Sequence, residues 1–372
     1  MKVYGPDFFK DFHCIGSSCL DNCCRMGWDI EIDDDTYSYY SSIGNGICGH
    51  ISSDGKEHYI MQENGQCPFL NEKGLCSLLL GYGEEHISQI CAQHPRFYQW
   101  FGGCMEAGTG LCCEESARLW LEHAGKISFC EWETDEEDDD LAFDAQMLVA
   151  VRNAREVLFG LMQCGELTLS QKMKALLIFG LNAQDMGAED DPECYNELAH
   201  IFSDIEKVKE LVGQLGTNTQ EDIIKACFDV LSCFEELDYM KGVFPGAIGR
   251  IKSRLDSITA NAGAFDKACP QVNVQLCAVG IYNIFRYFIE CASGAQCLPF
   301  MVSSILNMWF IRMWDILMWL EDKDSFCTKA QINAVKEYSK EVEYSDNTDA
   351  LWECAYTDSR LSADRLAKIA EV

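Results

Sequence analysis

Clustered cysteines are the residues of this chain whose types and spacing best support chemistry. The sequence holds 22 cysteines in 372 residues, and twelve of them lie before residue 131. Nine of these twelve fall into four short groups: Cys14, Cys19, Cys23 and Cys24; Cys67 and Cys76; Cys91; and Cys112 with Cys113. Thiolates at such spacings can enclose one metal ion or one iron–sulfur cluster. Soft sulfur ligands favour zinc, copper(I) or iron–sulfur centres over magnesium or calcium.

Two readings of dense cysteine compete, a disulfide framework in a secreted protein and a metal site in a cytoplasmic one. The segment from Met1 to Phe12 has neither a continuous apolar stretch nor a small-residue cleavage site, so we expect a cytoplasmic protein with reduced thiols. The paired spacing of a plain zinc ribbon is absent. Cys19 and Cys23 match the first interval of radical enzymes that use S-adenosylmethionine, but Cys24 follows at once, so radical chemistry is not inferred.

Charge restricts the class of partner. The chain carries 29 Lys and Arg against 60 Asp and Glu, a formal net charge of −31. Phosphate binding needs a concentrated basic face, which argues against nucleic acid as a partner. An anionic membrane surface is disfavoured for the same reason. A lysine-bearing partner suits this charge.

Composition along the chain predicts a mainly α protein with two parts. Residues 1–130 are rich in Gly and Cys and indicate a loop-rich iron–sulfur or zinc domain, residues 131–140 an acidic linker, and residues 141–372 an all-helical domain. The helical period is clear in Gln220–Tyr239. Ser170 is expected to cap a helix that runs to Gly180. The other predicted helices are Glu84–Gln93, Glu114–His123, Asp144–Gln163, Glu193–Gly213, Pro245–Asn261, Val272–Cys291, Pro299–Glu321 and Lys329–Glu341.

The stretch from Leu298 to Leu320 is long enough to cross a bilayer. Arg312 and Asp315 lie inside it, three residues apart, where a helix brings them to one face. Charges in the centre of a span cost about 2.5–3.5 kcal/mol each on insertion scales. We therefore expect a buried amphipathic core helix with an internal ion pair, and no membrane span.

At these cysteines the chain resembles the bacterial flagellin lysine-N-methylases and their zinc- or iron-chelating domain. The resemblance covers about residues 10–122, and Tyr282-Asn283 and Phe285-Arg286-Tyr287 add a weaker match. Cys113 stands where the family more often has proline. The matching stretches are Phe12-His13-Cys14 through Cys19 to Cys23-Cys24, Trp28, Ile30 to Asp33, Cys67-Pro68-Phe69-Leu70, Gly74-Leu75-Cys76, Gly83-Glu84, Cys91 with His94-Pro95-Arg96, Leu111-Cys112-Cys113-Glu114 and Ala117-Arg118-Leu119.

The resemblance implies methyl transfer from S-adenosylmethionine to lysine ε-amines of flagellin. It also implies an iron–sulfur centre, of the four-iron type rather than zinc. The displacement needs no redox step, so the centre is expected to order the loop-rich part through metal-coupled folding. The alternative function is a metal- or cluster-binding scaffold without catalysis. The ligand candidates that the resemblance gives are Cys14, Cys19, Cys23, Cys24, Cys67, Cys76, Cys91 and Cys112.

Five further residues of the resembling stretches are candidates for the cofactor site: Trp28, Arg96, Tyr98, Glu115 and Arg118. His94 fits a metal ligand or a helix end equally well. Gly108-Thr109-Gly110 is interpreted as a turn rather than a phosphate loop. No catalytic residue is identified from the sequence.

Overall fold

The computed structural model describes residues 1–20, 22–28, 30–61, 63–101, 103–135, 144–239, 243–324 and 326–372. Residues 136–140 of the predicted acidic linker lie outside them. The strands are β1 Lys2–Pro6, β2 Ile30–Glu31, β3 Ile51–Ser53, β4 His58–Ile60, β5 Arg96–Phe101, β6 Cys104–Thr109 and β7 Phe129–Glu133. The α-helices are α1 Asp34–Ile43, α2 Ser77–Tyr82, α3 Gln89–Gln93, α4 Glu114–Glu122, α5 Ala145–Gln163, α6 Leu169–Met186, α7 Pro192–Ser203, α8 Ile205–Gly213, α9 Gln220–Phe234, α10 Val243–Ser253, α11 Leu255–Ala268, α12 Pro270–Tyr287, α13 Cys297–Glu321, α14 Thr328–Tyr338, α15 Asn347–Thr357 and α16 Ala363–Ile369.

The mainly α fold class is confirmed. Several helix boundaries differ from those that the sequence pattern predicted. Helix α6 is capped by Thr168 rather than by the predicted Ser170, because Thr168 forms a reciprocal capping box with Gln171. The single helix predicted over residues 193–213 is two helices. Asp204 separates them, and its carboxylate accepts hydrogen bonds from the first amides of α8. The helix predicted over residues 245–261 likewise breaks at Arg254.

A four-stranded sheet in the order β5-β6-β1-β7 packs on the helices. Strand β1 runs parallel to β6 and antiparallel to β7. On the face toward the helices, the Phe129 ring stacks on Tyr4 at 5.5 Å and on Phe159 at 4.5 Å. Trp120 of α4 meets Tyr282 of α12 at 5.3 Å. Residues on both sides of the predicted boundary at 130 therefore share one hydrophobic core, and the division into domains stays a prediction.

Residues 13–95, called the cysteine lobe here, have a much smaller core. A three-stranded sheet in the order β2-β4-β3 packs with α1 and α2. The rest of the lobe consists of short helical turns and loops. The buried residues of its core are Ile32, Tyr40, Ile47, Ile51, Ile60, Cys67, Phe69 and Leu78.

In the part of the chain that the structure describes, two helices, Pro270–Ser293 and Cys297–Glu321, are long and apolar enough to cross a membrane, and both lie mostly or fully inside the protein. The expected core helix is confirmed, since α13 is buried. It is not amphipathic, because its most apolar stretch is buried on all faces of the helix. The prediction of an internal ion pair between Arg312 and Asp315 was wrong. Arg312 pairs instead with Asp266 at 2.8 Å. Asp315 is fully buried, and burial raises the pKa of its carboxyl well above the usual range.

Candidate functional site

A cavity of about 440 Å³ where the cysteine lobe meets the helical part brings most of the predicted ligands together. We call it the thiol cavity. Seven of the eight predicted ligands line it, as does Cys113; the eighth, Cys67, is buried and close enough to influence the charge state of Cys24. The cysteines that line it are Cys14, Cys19, Cys23, Cys24, Cys76, Cys91, Cys112 and Cys113.

Local structure explains how distant cysteines converge. Cys23 and Cys24 open a short helical turn, and Cys76 caps the start of α2. The amide of Cys67 donates a 2.8 Å hydrogen bond to the carbonyl of Cys24, which ties the first two cysteine groups together. Cys113 precedes the first turn of α4. Each group therefore sits at a turn or a helix end, where backbone direction changes within a few residues.

Burial controls the ionisation of these thiols. It raises the pKa of Cys67 to about 11 and that of Cys91 to about 12. Cys23 is the exception, because a hydrogen bond with the Cys24 thiol lowers its pKa to about 7. The buried Cys112 thiol has its pKa raised well above the usual value. Metal binding would have to displace these protons, which a soft cation does readily.

The type of ligand in the thiol cavity suits a thiophilic metal or an iron–sulfur cluster. Eight cysteines line one cavity, and soft metals prefer thiolate ligands. Across the described ranges, however, no group of three His, Cys, Asp or Glu side chains is arranged to hold a metal ion. Ligation would therefore require the thiols to draw closer than they are here.

A second cavity of about 410 Å³, called the histidine pocket, adjoins the thiol cavity. Both are lined by Cys23, Cys91, Trp28, His94 and Arg96, among others. The Trp28 ring lies 5.4 Å from the ring of His94. Trp28 and Arg96, two candidates given by the resemblance, thus line one pocket together with the rings of His94 and Tyr344.

Desolvation and the nearby Lys340 cation lower the pKa of His94 to about 4. Its imidazole is therefore neutral at pH 7 and keeps a lone pair. Lys340, which lines the thiol cavity, is itself buried and pairs with Glu337 at 3.2 Å. A neutral imidazole in the histidine pocket thus lies near a buried cation that lines the thiol cavity.

The sequence interpretation missed Tyr344 and the buried polar network behind it. Arg286 donates hydrogen bonds to the hydroxyls of Tyr282 at 2.9 Å and Tyr344 at 2.8 Å, and pairs with Glu343 at 2.9 Å. Tyr287 donates to the same carboxylate at 3.0 Å. We call these five residues the arginine–tyrosine network. The weak match at Tyr282 and Arg286–Tyr287 was its only sequence signal.

A π-helical turn, Ser339–Glu343, places this network. Such turns insert a residue into a helix and often occur at functional sites. Here the turn follows α14, carries Lys340 and Glu343, and ends at Tyr344. Burial raises the pKa of the Tyr344 phenol well above normal, so it remains a hydrogen-bond donor. Its ring stacks on Trp28 at 5.9 Å.

Not all five predicted cofactor residues come together. Tyr98 lies on β5 and lines a different groove, described below. Glu115 and Arg118 lie on α4, where they pair with each other at 2.6 Å. Neither lines the thiol cavity or the histidine pocket. The set stays a prediction, and its members occupy three places.

Gly108 lies in β6, and Gly110 comes directly after that strand and before α4, so the two are not in one turn as the sequence predicted. A Cβ atom on Gly110 would lie 1.8 Å from the Tyr344 hydroxyl, and one on Gly108 would lie 2.4 Å from the Phe97 ring. Both glycines are thus explained by close packing against aromatic side chains and not by phosphate binding.

Residues 155–355 match the FliB lysine N-methylase C-terminal domain. That match covers more than half of the chain and includes the arginine–tyrosine network. The chain belongs to the FliB lysine N-methylase family. The sequence is also 28% identical over 126 residues to the flagellar biosynthetic protein FliU of Salmonella muenchen, covering 31% of this chain and 74% of that protein.

Two proteins named lysine-N-methylase, from Salmonella choleraesuis (strain SC-B67) and Salmonella typhimurium (strain LT2), are each 28% identical over 129 residues. These matches cover 31% of this chain and only 31% of each relative's length. No solved structure matches the chain.

Proposed function

We propose that this protein is a protein-lysine N-methyltransferase that transfers methyl groups from S-adenosylmethionine to ε-amines of a flagellin. The observation that carries the proposal is the histidine pocket. It contains a neutral imidazole, an arginine and two aromatic rings, and it is enclosed by residues of both the resembling N-terminal stretches and the family-matched part. The flagellar and methylase names of the relatives support the choice of substrate.

The reaction requires a neutral amine, because the nitrogen lone pair attacks the methyl carbon while the carbon–sulfur bond breaks toward sulfur. A free lysine has a pKa of about 10.4, so the site must remove a proton or exclude water. In our proposal the lysine loses that proton to solvent as it enters the site, because His94, whose pKa is lowered to about 4, is too weak a base to take it at pH 7. Lys340 disfavours a second positive charge nearby, which helps to keep the acceptor amine neutral.

In the same proposal, the histidine pocket holds the methyl donor. Trp28 and Tyr344 offer ring faces to its adenine, and Arg96 offers a guanidinium to its carboxylate. Arg96 lies over the Phe12 ring at 4.9 Å, which limits where its head group can point. Tyr98, Glu115 and Arg118 are not placed in this pocket by the proposal.

The thiol cavity is proposed to hold the iron–sulfur centre, from the predicted cysteines that line it. When bound, that centre supplies cross-links between the cysteine groups rather than electrons. The protein's own part is to bring thiols from residues 14–24, 76, 91 and 112 to one place. The acidic surface and the family's flagellar relatives fit a cytoplasmic enzyme that meets its substrate before export.

The first test is analysis of protein purified without oxygen. About four iron and four sulfide per chain with a broad brown absorption band would support the cluster, in the range typical of four-iron centres. Zinc without sulfide would overturn the iron–sulfur assignment. Methyl transfer to flagellin is then followed with labelled donor. Donor binding without transfer, or neither, would favour the alternative of a non-catalytic cluster-binding scaffold.

Two arginines of the predicted cofactor set make a matched pair of variants. Arg96→Gln should weaken donor binding about tenfold or more, the usual loss for a charge-assisted contact to a carboxylate. Arg118→Gln, at a residue of α4 that pairs with Glu115 and does not line the pocket, should leave donor affinity unchanged. Equal losses in both variants, or no loss in Arg96→Gln, would argue against the histidine pocket as the donor site.

A further inference from the structure

A third cavity, about 710 Å³ in volume, opens on the surface beyond the arginine–tyrosine network. We call it the aromatic groove. Strand β5, the end of α12, the start of α13 and helix α15 form its walls. Arg286 lines the groove and bonds to Tyr344, which lines the histidine pocket, so the two cavities lie on opposite sides of one hydrogen bond.

Three rings form a corner in the groove. Tyr287 and Phe300 are nearly parallel, with an interplanar angle of 17°. Trp352 stands across both, at 80° to Tyr287 and 83° to Phe300, with centroid distances of 5.3 and 5.1 Å. Rings at right angles present faces to a guest from more than one side, which is how aromatic cages hold alkylammonium groups.

The corner is held rigid before any ligand arrives. The Trp352 indole donates a 2.7 Å hydrogen bond to Ser303, and the Tyr287 hydroxyl donates to Glu343. Ser303 and Phe300 lie on the buried helix α13. Fixed side chains lose little conformational entropy on binding, so the rings are preorganised.

Two carboxylates give the groove negative charge. Glu290 is half-buried and accepts a 3.2 Å hydrogen bond from Gln99. Burial raises the pKa of its carboxyl, which is the expected result for an acid that lacks a close cation. Glu353, from α15, is exposed at the rim. Arg286, the one cation among the described residues that line the groove, is already paired with Glu343.

We infer that the aromatic groove is a docking site for a lysine side chain of the protein substrate, with its ammonium group unmodified or methylated. This deepens the proposed function and rests on it. Because the Arg286–Tyr344 hydrogen bond separates the groove from the histidine pocket, the docked lysine is a neighbour of the residue being modified. The acidic surface attracts such a lysine-bearing partner, and the rings and carboxylates hold its ammonium group.

The test uses tryptophan fluorescence of the full-length protein without any methyl donor. The probes are Nα-acetyl-lysine methylamide, its ε-trimethyl derivative, and Nα-acetyl-norleucine methylamide as the uncharged match. Both cationic probes should change the emission of Trp352 and bind about tenfold more tightly than norleucine, the order of a cation–π contact in a partly buried site. Equal binding of the norleucine probe would overturn the inference.

Variants locate the site. Trp352→Phe keeps a ring but removes the fluorophore, so the emission change should disappear while binding persists by NMR. Glu290→Gln combined with Glu353→Gln should weaken binding of both cations about tenfold. Glu221→Gln, an exposed acid on α9, is the control and should bind normally. An emission change that survives in Trp352→Phe, or normal affinity in the double variant, would overturn the assignment.

Failure of this inference and failure of the proposed function give different results. Methyl transfer to flagellin with no binding of cations in the groove would leave the enzyme but remove the docking site. Cation binding in the groove with no methyl transfer would keep the lysine site and overturn the catalytic proposal.

Discussion

The cysteine lobe and the helical part of this protein are stabilised in different ways. In the helical part, α12 and α13 are buried almost completely among aromatic and aliphatic side chains. The cysteine lobe has a small apolar core, two- and three-residue strands and many turns. A segment with so little core usually needs a cross-link to be stable. In the proposed function, the thiol-bound centre would supply that cross-link to the lobe, whereas burial stabilises the helices.

The largest expected effect is the loss of whatever centre the thiols hold. Removing it by chelation, or replacing Cys23 and Cys24 together by serine, should unfold residues 13–95 and leave the helices of residues 144–372 folded. Structural zinc in small domains contributes roughly 10–16 kcal/mol, which gives the scale. Hydrogen–deuterium exchange would show lost protection in the lobe alone.

The control for that experiment is Cys48→Ser. Cys48 belongs to the same lobe and is half-buried, but it does not line the thiol cavity. It should leave protection and metal content unchanged. If the Cys23 and Cys24 variant keeps full protection in residues 13–95, the lobe does not depend on a thiol-bound centre.

A second prediction compares the two cores directly. Phe310 of α13 packs against Phe234 at 5.0 Å and Phe244 at 4.8 Å, so Phe310→Ala should lower the free energy of unfolding by about 3–5 kcal/mol. Urea titration followed by circular dichroism at 222 nm measures this. Phe69→Ala, in the lobe, should change that helical transition little while it increases exchange near residues 47–78. Similar shifts in both variants would mean that the two cores unfold together.

The same contrast explains what the sequence could reveal. Long apolar helices follow the 3.6-residue period, so Asp144–Gln163 and Gln220–Tyr239 were placed within a few residues. The cysteines were recognised by type and spacing, and most of the predicted ligands line one cavity. Contacts between residues that are far apart in the sequence leave no such local pattern. Tyr344 reaches the site through a π-helical turn, and Arg312 pairs with Asp266 on another helix rather than with Asp315.

A third prediction concerns the junction between the two regions. Gly110→Ala should push the Tyr344 hydroxyl away from Arg286, because the added Cβ would lie 1.8 Å from that oxygen. A displacement of about 1 Å in a catalytic site can cost on the order of a hundredfold in rate, so we expect a loss of that size in kcat with the fold retained. Methyl-transfer assays and a thermal melt measure the two effects.

Gly165→Ala is the matched control, since nothing lies within 4 Å of a Cβ at that position. It should leave kcat and the melting temperature close to those of the unmodified protein. If Gly110→Ala keeps full activity, Tyr344 does not take part in the site as proposed here.

The smallest effect is expected from surface charge in the helical part, where burial already provides stability. A hydrogen bond with Arg360 holds the pKa of Asp358 below its usual range. A carboxyl whose pKa is lower in the folded than in the unfolded state stabilises the fold above its unfolded pKa, near 4, and loses that contribution as the pH falls through the folded value. Arg360→Met should therefore cost less than about 1 kcal/mol at pH 7, as is usual for partly exposed pairs, and less still at pH 3. Urea unfolding at pH 7, 5 and 3 would test the trend, and a cost that stayed constant with pH would show that Arg360 contributes by packing its side chain rather than by its charge.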